Sequence, residues 1–133
     1  MNNLKENSLF IEMLKGKIHR ATVTEADLNY IGSLTMDEDL MDAAGFIEYE
    51  KIQVLDVTNG NRIETYIIRG IRGSGKVCIN GAAAHLIRKD DQVIILAYCR
   101  LDEAEAQNHA PKIVHVNTEN QIILKSNEEP ILV

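Results

Sequence analysis

The sequence predicts a mainly β fold, a small β-barrel with short helical turns. Three observations lead to this prediction. Short apolar stretches of strand length are frequent, turn-forming residues recur at close spacing between them, and few segments have helical periodicity. With 133 residues, of which 45% are hydrophobic and 26% charged, the chain is expected to form one soluble domain.

The N-terminal part is predicted to contain a strand and two helical turns. Residues 1–12 are expected to be a polar extension, either a frayed helix or a disordered segment, followed by a strand at 13–23. A capping-box pattern at 24–27 predicts one helical turn. A second such pattern begins at Thr35 and predicts a short helix that runs to Ala44 and ends at Gly45.

A β-hairpin is the clearest local signal in the sequence. Residues 52–57 alternate between apolar and polar, Asn59-Gly60 favours a tight turn with positive φ, and 63–69 returns as the partner strand. The remaining elements are predicted as a turn at 71–75, a strand at 77–79, a turn or short helix at 81–87, strands at 92–99, 112–116 and 121–124, a helical turn at 101–107, and a polar tail at 125–133.

Composition argues against several classes of function. A net charge of −6 offers no basic surface for nucleic acid, and no apolar run approaches transmembrane length, so a cytoplasmic protein is expected. Cys78 and Cys99 each lie in an apolar run, which predicts buried thiols rather than a disulfide. The four histidines lack zinc-type spacing, and no metal site is predicted.

The dipeptide Gly32-Ser33 is a candidate site of backbone self-cleavage. A serine hydroxyl can attack the carbonyl of the preceding residue, and a glycine there leaves that carbonyl accessible and the backbone free to adopt strained angles. Elimination from the resulting ester would release a chain that ends at Gly32 and leave dehydroalanine, which hydrolyses to a pyruvoyl group. Gly-Ser pairs are also common in ordinary loops, so the dipeptide alone has little weight.

Segments on both sides of this dipeptide strengthen the self-cleavage hypothesis. Taken together they resemble the pyruvoyl-dependent aspartate 1-decarboxylase family, from about residue 13 to about residue 116. The segments that carry the resemblance are Met-Leu-Lys-Gly-Lys-Ile-His-Arg at 13–20, Ala-Asp-Leu at 26–28, Asp-Ala-Ala-Gly at 42–45, Val-Thr-Asn-Gly at 57–60, Arg62, Thr65, Tyr66, and Asn-Gly-Ala-Ala-Ala-His at 80–85.

The resemblance implies a fold, an assembly and a reaction. The fold would be a double-psi β-barrel, and the assembly a homotetramer with active sites between subunits. The chain would divide into 1–32 and 33–133, and the pyruvoyl group of Ser33 would form a Schiff base with L-aspartate. Loss of CO2 would give β-alanine for pantothenate biosynthesis, and some family members need a separate helper protein for cleavage.

The resemblance also assigns roles to side chains. Tyr66 would donate a proton to the carbon that loses CO2, and Thr65 would assist self-cleavage near the Gly32 carbonyl. Arg62 would hold a substrate carboxylate, with Lys17 as the second cation, although the sequence leaves open which cation takes which carboxylate. The other expected pocket residues are His19, Asn80, Gly81, Ala82 and Ala83.

Two other functions are alternatives to decarboxylation. Residues 70–76 match the spacing of a phosphate-binding loop up to Lys76, but Val77 replaces the required Ser or Thr and begins a predicted strand. A glycine-rich hairpin turn explains the same residues. A non-catalytic barrel that binds a ligand or partner is the second alternative, and only the decarboxylase requires a broken backbone.

Overall fold

A computed structural model describes residues 9–128 and confirms the mainly β fold. The elements are β1 (Phe10–Thr22), β2 (Glu25–Asp27), β3 (Ser33–Asp37), α1 (Glu38–Ala44), β4 (Lys51–Asp56), β5 (Arg62–Gly70), β6 (Val77–Asn80), a 3₁₀ helix (Gly81–His85), β7 (Gln92–Asp102), α2 (Glu103–Gln107), β8 (Lys112–Val116) and β9 (Ile122–Ser126). None of the helices between residues 9 and 128 is both long enough and apolar enough to cross a membrane. The predicted extension 1–12 and tail 125–133 lie mostly outside the described residues.

The nine strands form one mixed sheet in the order β2-β6-β3-β5-β4-β7-β1-β8-β9. β3 pairs antiparallel with β6, where Ser33 faces Asn80, and parallel with β5, where the pairing runs from Leu34 and Ile67. β1 likewise has an antiparallel neighbour, β7, and a parallel neighbour, β8. The strand that begins with Ser33 therefore lies between the two strands that carry Thr65, Tyr66 and Asn80.

Aliphatic side chains from most strands form the core. β4 alternates along its length, with Ile52 and Val54 buried between more exposed residues, as its sequence pattern predicted. The largest fully buried side chains are those of Ile18, Leu34, Met36, Leu40, Ile52, Ile67, Ile79, Ile87, Ile95 and Ile113. This core of Ile, Leu, Val and Met agrees with a composition that lacks tryptophan.

The helical turn predicted at 24–27 is wrong, because Glu25–Asp27 forms β2. Thr24 does not cap a helix. Its hydroxyl donates to the Val77 carbonyl and accepts from the Val77 amide, at 3.0 Å in both cases. These bonds and the parallel pairing with β6 give the backbone long-range partners that a local pattern cannot reveal.

The helix predicted to begin at Thr35 begins three residues later. Residues 33–37 form β3, and Asp37 is the N-cap of α1, with its carboxylate accepting from the Asp39 amide at 2.8 Å. The predicted end is confirmed, since Gly45 follows α1 with a φ of 75°. Gly45 was recognised as the end of the helix, but Thr35 was wrongly taken as its N-cap because the strand β3 was not recognised.

The predicted hairpin is confirmed as β4 and β5, with Gly60 in the turn at a φ of 81°. β1 begins at Phe10, three residues before the predicted start of the first strand. Both cysteines are free. Cys78 is buried as predicted, whereas Cys99 is only half-buried.

Candidate active site

Ser33 is buried at the start of β3 in an unusual backbone conformation. It is 2% exposed, and its φ of 133° lies in a region that residues with a Cβ rarely adopt. Such a conformation persists only when the surrounding structure holds it, and it is common at functional sites. A Cβ built on the neighbouring Gly32 would meet no heavy atom within 4 Å, so the space on that side of Gly32 is open.

The side chain of Asn80 connects Ser33 to two other polar groups. Its Nδ2 donates to Ser33 Oγ at 3.2 Å and to Thr35 Oγ1 at 3.0 Å. Its Oδ1 accepts from the Cys78 thiol at 3.1 Å. Burial, and secondarily the negative charge of Glu25, raises the pKa of the Cys78 thiol, which keeps the sulfur protonated and able to donate. We call these four residues the Asn80 network.

Gly81 supports the backbone on the other side of Gly32. It has a φ of 72°, and a Cβ built on it would lie 2.9 Å from Gly32 Cα and 3.0 Å from Gly32 N. Only a glycine allows this approach without moving the Gly32 backbone. Gly81 is itself buried and opens the 3₁₀ helix, in which Ala82 is exposed and Ala83 half-buried.

Thr65 and Tyr66 lie on opposite faces of β5, because neighbouring residues of a strand point to opposite sides of the sheet. Thr65 is half-buried on the inner face, whereas Tyr66 is 37% exposed on the outer face with Arg62. The parallel pairing of β3 and β5 begins at Leu34 and Ile67, so Ser33 and Tyr66 each immediately precede the first pair. The Tyr66 ring lies 6.5 Å from that of Tyr49, measured between centroids.

Lys17 and His19 lie on β1, and three strands separate β1 from β3 in the sheet. Both are half-buried. The His19 ring contacts that of His115 on β8, with a distance of 5.1 Å between centroids. The pairing of β3 with β6 and the approach of Gly81 to Gly32 thus group Gly32, Ser33, Asn80 and Gly81. Thr65 and Tyr66 lie on the neighbouring strand β5, whereas the strand of Lys17 and His19 does not pair with β3.

The glycine-rich loop at 70–76 does not have the features of a phosphate site. The carboxylate of Asp37 accepts from the Gly73 amide at 2.9 Å and from the Gly75 amide at 2.8 Å. Amides that would cradle a phosphate are therefore bound to a buried anion of the protein itself. Val77 continues into β6 rather than into a helix, so this segment serves as a connection between strands.

Thr35 and Cys78 are the members of the Asn80 network that sequence reasoning missed. The signal was available in the spacing, because residues two apart on a strand share a face. Thr35 follows Ser33 by two positions and Cys78 precedes Asn80 by two. Assigning Thr35 to a helix cap concealed this relation.

The chain resembles known proteins over most of its length. Residues 9–123 match the model of a family described as aspartate decarboxylase. Curated relatives named aspartate 1-decarboxylase include one from Caldicellulosiruptor saccharolyticus, 59% identical and covering 91% of this chain and 94% of its own length. Another, from Corynebacterium efficiens, is 57% identical with coverages of 90% and 89%, and one from Acetivibrio thermocellus is 55% identical with coverages of 91% and 96%.

Proposed function

The chain belongs to the aspartate decarboxylase family, and on that premise we propose that it converts L-aspartate to β-alanine and CO2 with a pyruvoyl group made from its own Ser33. It is a carboxy-lyase whose product serves pantothenate biosynthesis. A cytoplasmic location is part of the same proposal.

The conformation of Ser33 is the observation that supports self-cleavage most strongly. The residue is buried, held at a φ of 133°, and hydrogen-bonded through Oγ to Asn80, next to a Gly32 with open space on one side. A strained peptide favours the otherwise uphill shift from amide to ester. The Thr65 hydroxyl, on the strand beside β3, is proposed to donate to the Gly32 oxygen as charge develops there.

The residues around Ser33 fit a pyruvoyl group, since they provide a buried position, a polar neighbour in Asn80 and a Gly81 backbone that lies close to Gly32. When formed, that group supplies an electron sink for the electrons left by departing CO2. Tyr66 is proposed to deliver the proton to the reacting carbon, because its phenolic hydroxyl is a proton donor on the strand that pairs with β3.

Substrate binding is proposed to use cations and backbone amides. Arg62 offers a planar fork that matches a carboxylate, and Lys17 is the second cation for the second carboxylate of aspartate. Asn80 would contact the substrate once Ser33 Oγ has left. The other pocket residues in this proposal are His19, Gly81, Ala82 and Ala83.

We propose that the working assembly is a homotetramer with sites between subunits. Arg62 and Tyr66 lie on an exposed face of β5, and Lys17 lies on a strand separated from β3 by three others. A second copy that supplies some of these groups would complete the site. Light scattering should then give a mass about four times the 14.9 kDa of one chain.

The activity is tested by incubating the purified protein with L-aspartate and measuring β-alanine. The wild-type protein should produce it, and Ser33→Ala, which lacks the hydroxyl that forms the pyruvoyl group, should produce none. A non-catalytic barrel would give no β-alanine with either protein. Equal activity of the two proteins would exclude Ser33 as the source of the cofactor.

A further inference from the structure

We propose that Thr35 is a positioning residue for the cleavage at Ser33 and acts through the carboxamide of Asn80. The inference rests on the self-cleavage proposed above and adds a residue to it. Thr35 itself does not touch the bond that breaks. It accepts one of the two Nδ2 hydrogens of Asn80 while Ser33 Oγ accepts the other.

The register of β3 and β6 brings these groups together. Ser33 faces Asn80 and Thr35 faces Cys78, with the Leu34–Ile79 pair between them, so all four side chains belong to one face of the two strands. Asn80 therefore reaches the residue opposite it and the residue on the diagonal, which is the ordinary geometry of neighbours on a sheet. Ser33, Cys78 and Asn80 are at most 4% exposed, so water has little access to their polar atoms.

The orientation of the Asn80 amide depends on both ends of the network. Cys78 donates to Oδ1, and the hydroxyls of Ser33 and Thr35 accept from Nδ2. Oδ1 and both amide hydrogens are then satisfied. Because a buried donor without an acceptor is unfavourable, loss of the Thr35 hydroxyl would favour rotation of the amide away from Ser33.

The orientation of the Asn80 amide matters most for the elimination, which is the second chemical step of the cleavage. After Ser33 Oγ attacks the Gly32 carbonyl, the C–N bond breaks and Oγ becomes the ester oxygen. In the elimination, a base removes the Ser33 Cα proton, the Cβ–Oγ bond breaks, and its electron pair leaves with the Gly32 carboxylate. A hydrogen bond from Asn80 to Oγ stabilises the charge that develops on this leaving oxygen.

Replacing Thr35 with valine keeps the branched shape and removes the acceptor. Formation of the pyruvoyl chain should slow by on the order of tenfold to a hundredfold, and the ester should accumulate. Hydroxylamine distinguishes this ester, because it cleaves the ester to a Gly32 hydroxamate and a chain 33–133 that begins with an unchanged serine. Intact mass after denaturation measures both products.

Matched variants separate positioning from packing. Thr35→Ser keeps the hydroxyl and should restore maturation. Thr22→Val changes another half-buried strand threonine, whose backbone rather than hydroxyl binds Asn120, and should mature as the wild type does. Cys78→Ala removes the donor at the other end of the amide and should also accumulate ester, whereas Cys78→Ser should not.

Maturation of Thr35→Val at the wild-type rate would overturn the inference. Equal slowing in Thr35→Val and Thr35→Ser, with no ester trapped by hydroxylamine, would also overturn it, because packing would then explain the effect. If Thr35→Val does not fold, Cys78→Ala and Cys78→Ser test the inference in its place. Equal slowing in these two variants, with no ester trapped by hydroxylamine, would then overturn it. If the wild-type protein itself does not split, the proposed function is refuted instead. The mass spectrum of the wild-type protein shows this independently of the variants.

Discussion

Ser33 and Tyr66 are assigned to different steps, and a single substitution at Tyr66 separates them. Self-cleavage needs the Ser33 hydroxyl and a strained peptide, whereas turnover also needs a proton delivered to carbon. Tyr66→Phe deletes one hydroxyl and keeps the ring that neighbours Tyr49. We predict normal cleavage and a fall in kcat of roughly 10² to 10⁴, as is usual for a lost general acid, measured by β-alanine formation.

Tyr98→Phe is the matched control, because Tyr98 is a similarly exposed tyrosine on β7. It should have wild-type activity. A Tyr66→Phe protein that is cleaved and fully active would show that another group is the acid. One that is not cleaved would place Tyr66 in maturation rather than in turnover.

The buried carboxyl group of Asp56 is expected to make folding stability depend on pH. It is 3% exposed at the end of β4, and its Oδ1 accepts from the Thr58 amide at 2.8 Å and the Asn59 amide at 3.2 Å. Burial first, and then the neighbouring carboxyl group of Asp91, raises its pKa from 3.8 to about 6. The folded protein therefore keeps a proton on the Asp56 carboxyl group at a pH where the unfolded chain has lost it.

This proton makes folding stability fall as pH rises. Asp56 contributes its full stabilisation below a pH of about 4, and the contribution is lost as pH rises through about 6, a difference on the order of 1 to 3 kcal/mol. Asp56→Asn replaces the titrating proton with a permanent N–H donor. Urea unfolding of the uncleaved Ser33→Ala chain should show the loss between these pH values, and adding Asp56→Asn should remove it.

Asp90→Asn is the control for the change in charge, since Asp90 is exposed and adjacent to Asp91. It should leave the pH dependence intact. An unchanged pH profile in Asp56→Asn would mean that Asp56 does not cause the pH dependence in this range.

At the scale of elements, the 3₁₀ helix approaches the Gly32 segment closely, and we expect this approach to set the geometry of the proposed cleavage. Gly81→Ala would place a Cβ 2.9 Å from Gly32 Cα, so the Gly32 backbone must move. We predict that self-cleavage slows at least ~10-fold, because misplacement of reacting atoms by about an ångström costs roughly that much or more. The rate is followed by intact mass over time.

Gly60→Ala separates this clash from backbone strain. Gly60 has a φ of 81°, close to the 72° of Gly81, but a Cβ there would meet nothing within 4 Å. Both variants carry the cost of a positive φ, on the order of 1 to 2 kcal/mol. Equal maturation rates for the two would contradict a role for the contact between Gly81 and Gly32.

The elements also show which parts of the fold could be predicted from sequence. β4 and β5 were predicted because alternation and turn residues are local signals. β2 and β3 were missed because both are short and begin in capping-type sequences, while their pairing partners on β5 and β6 lie more than 30 residues away. Thr24 illustrates the difference, since its hydroxyl bonds to Val77 instead of to a helix.

At the scale of the whole molecule, part of the candidate site could be predicted from the sequence and part could not. Gly32, Ser33 and Asn80, which the family pattern named, lie together in the structure, while Thr35 could be found only once β3 was recognised as a strand. Lys17 could not be placed relative to Ser33 from one chain, because strand pairing leaves β1 apart from β3. That relation depends on the proposed assembly, which no pattern within a single chain specifies.

The central claim is that the chain makes its own cofactor by breaking the bond between Gly32 and Ser33. Denaturing intact-mass analysis tests this most directly, on purified protein held in solution until its spectrum stops changing. We predict two chains, residues 1–32 and 33–133, the larger beginning with a pyruvoyl group in place of Ser33. A single unbroken chain of 14.9 kDa in a preparation that makes β-alanine from aspartate would contradict the claim.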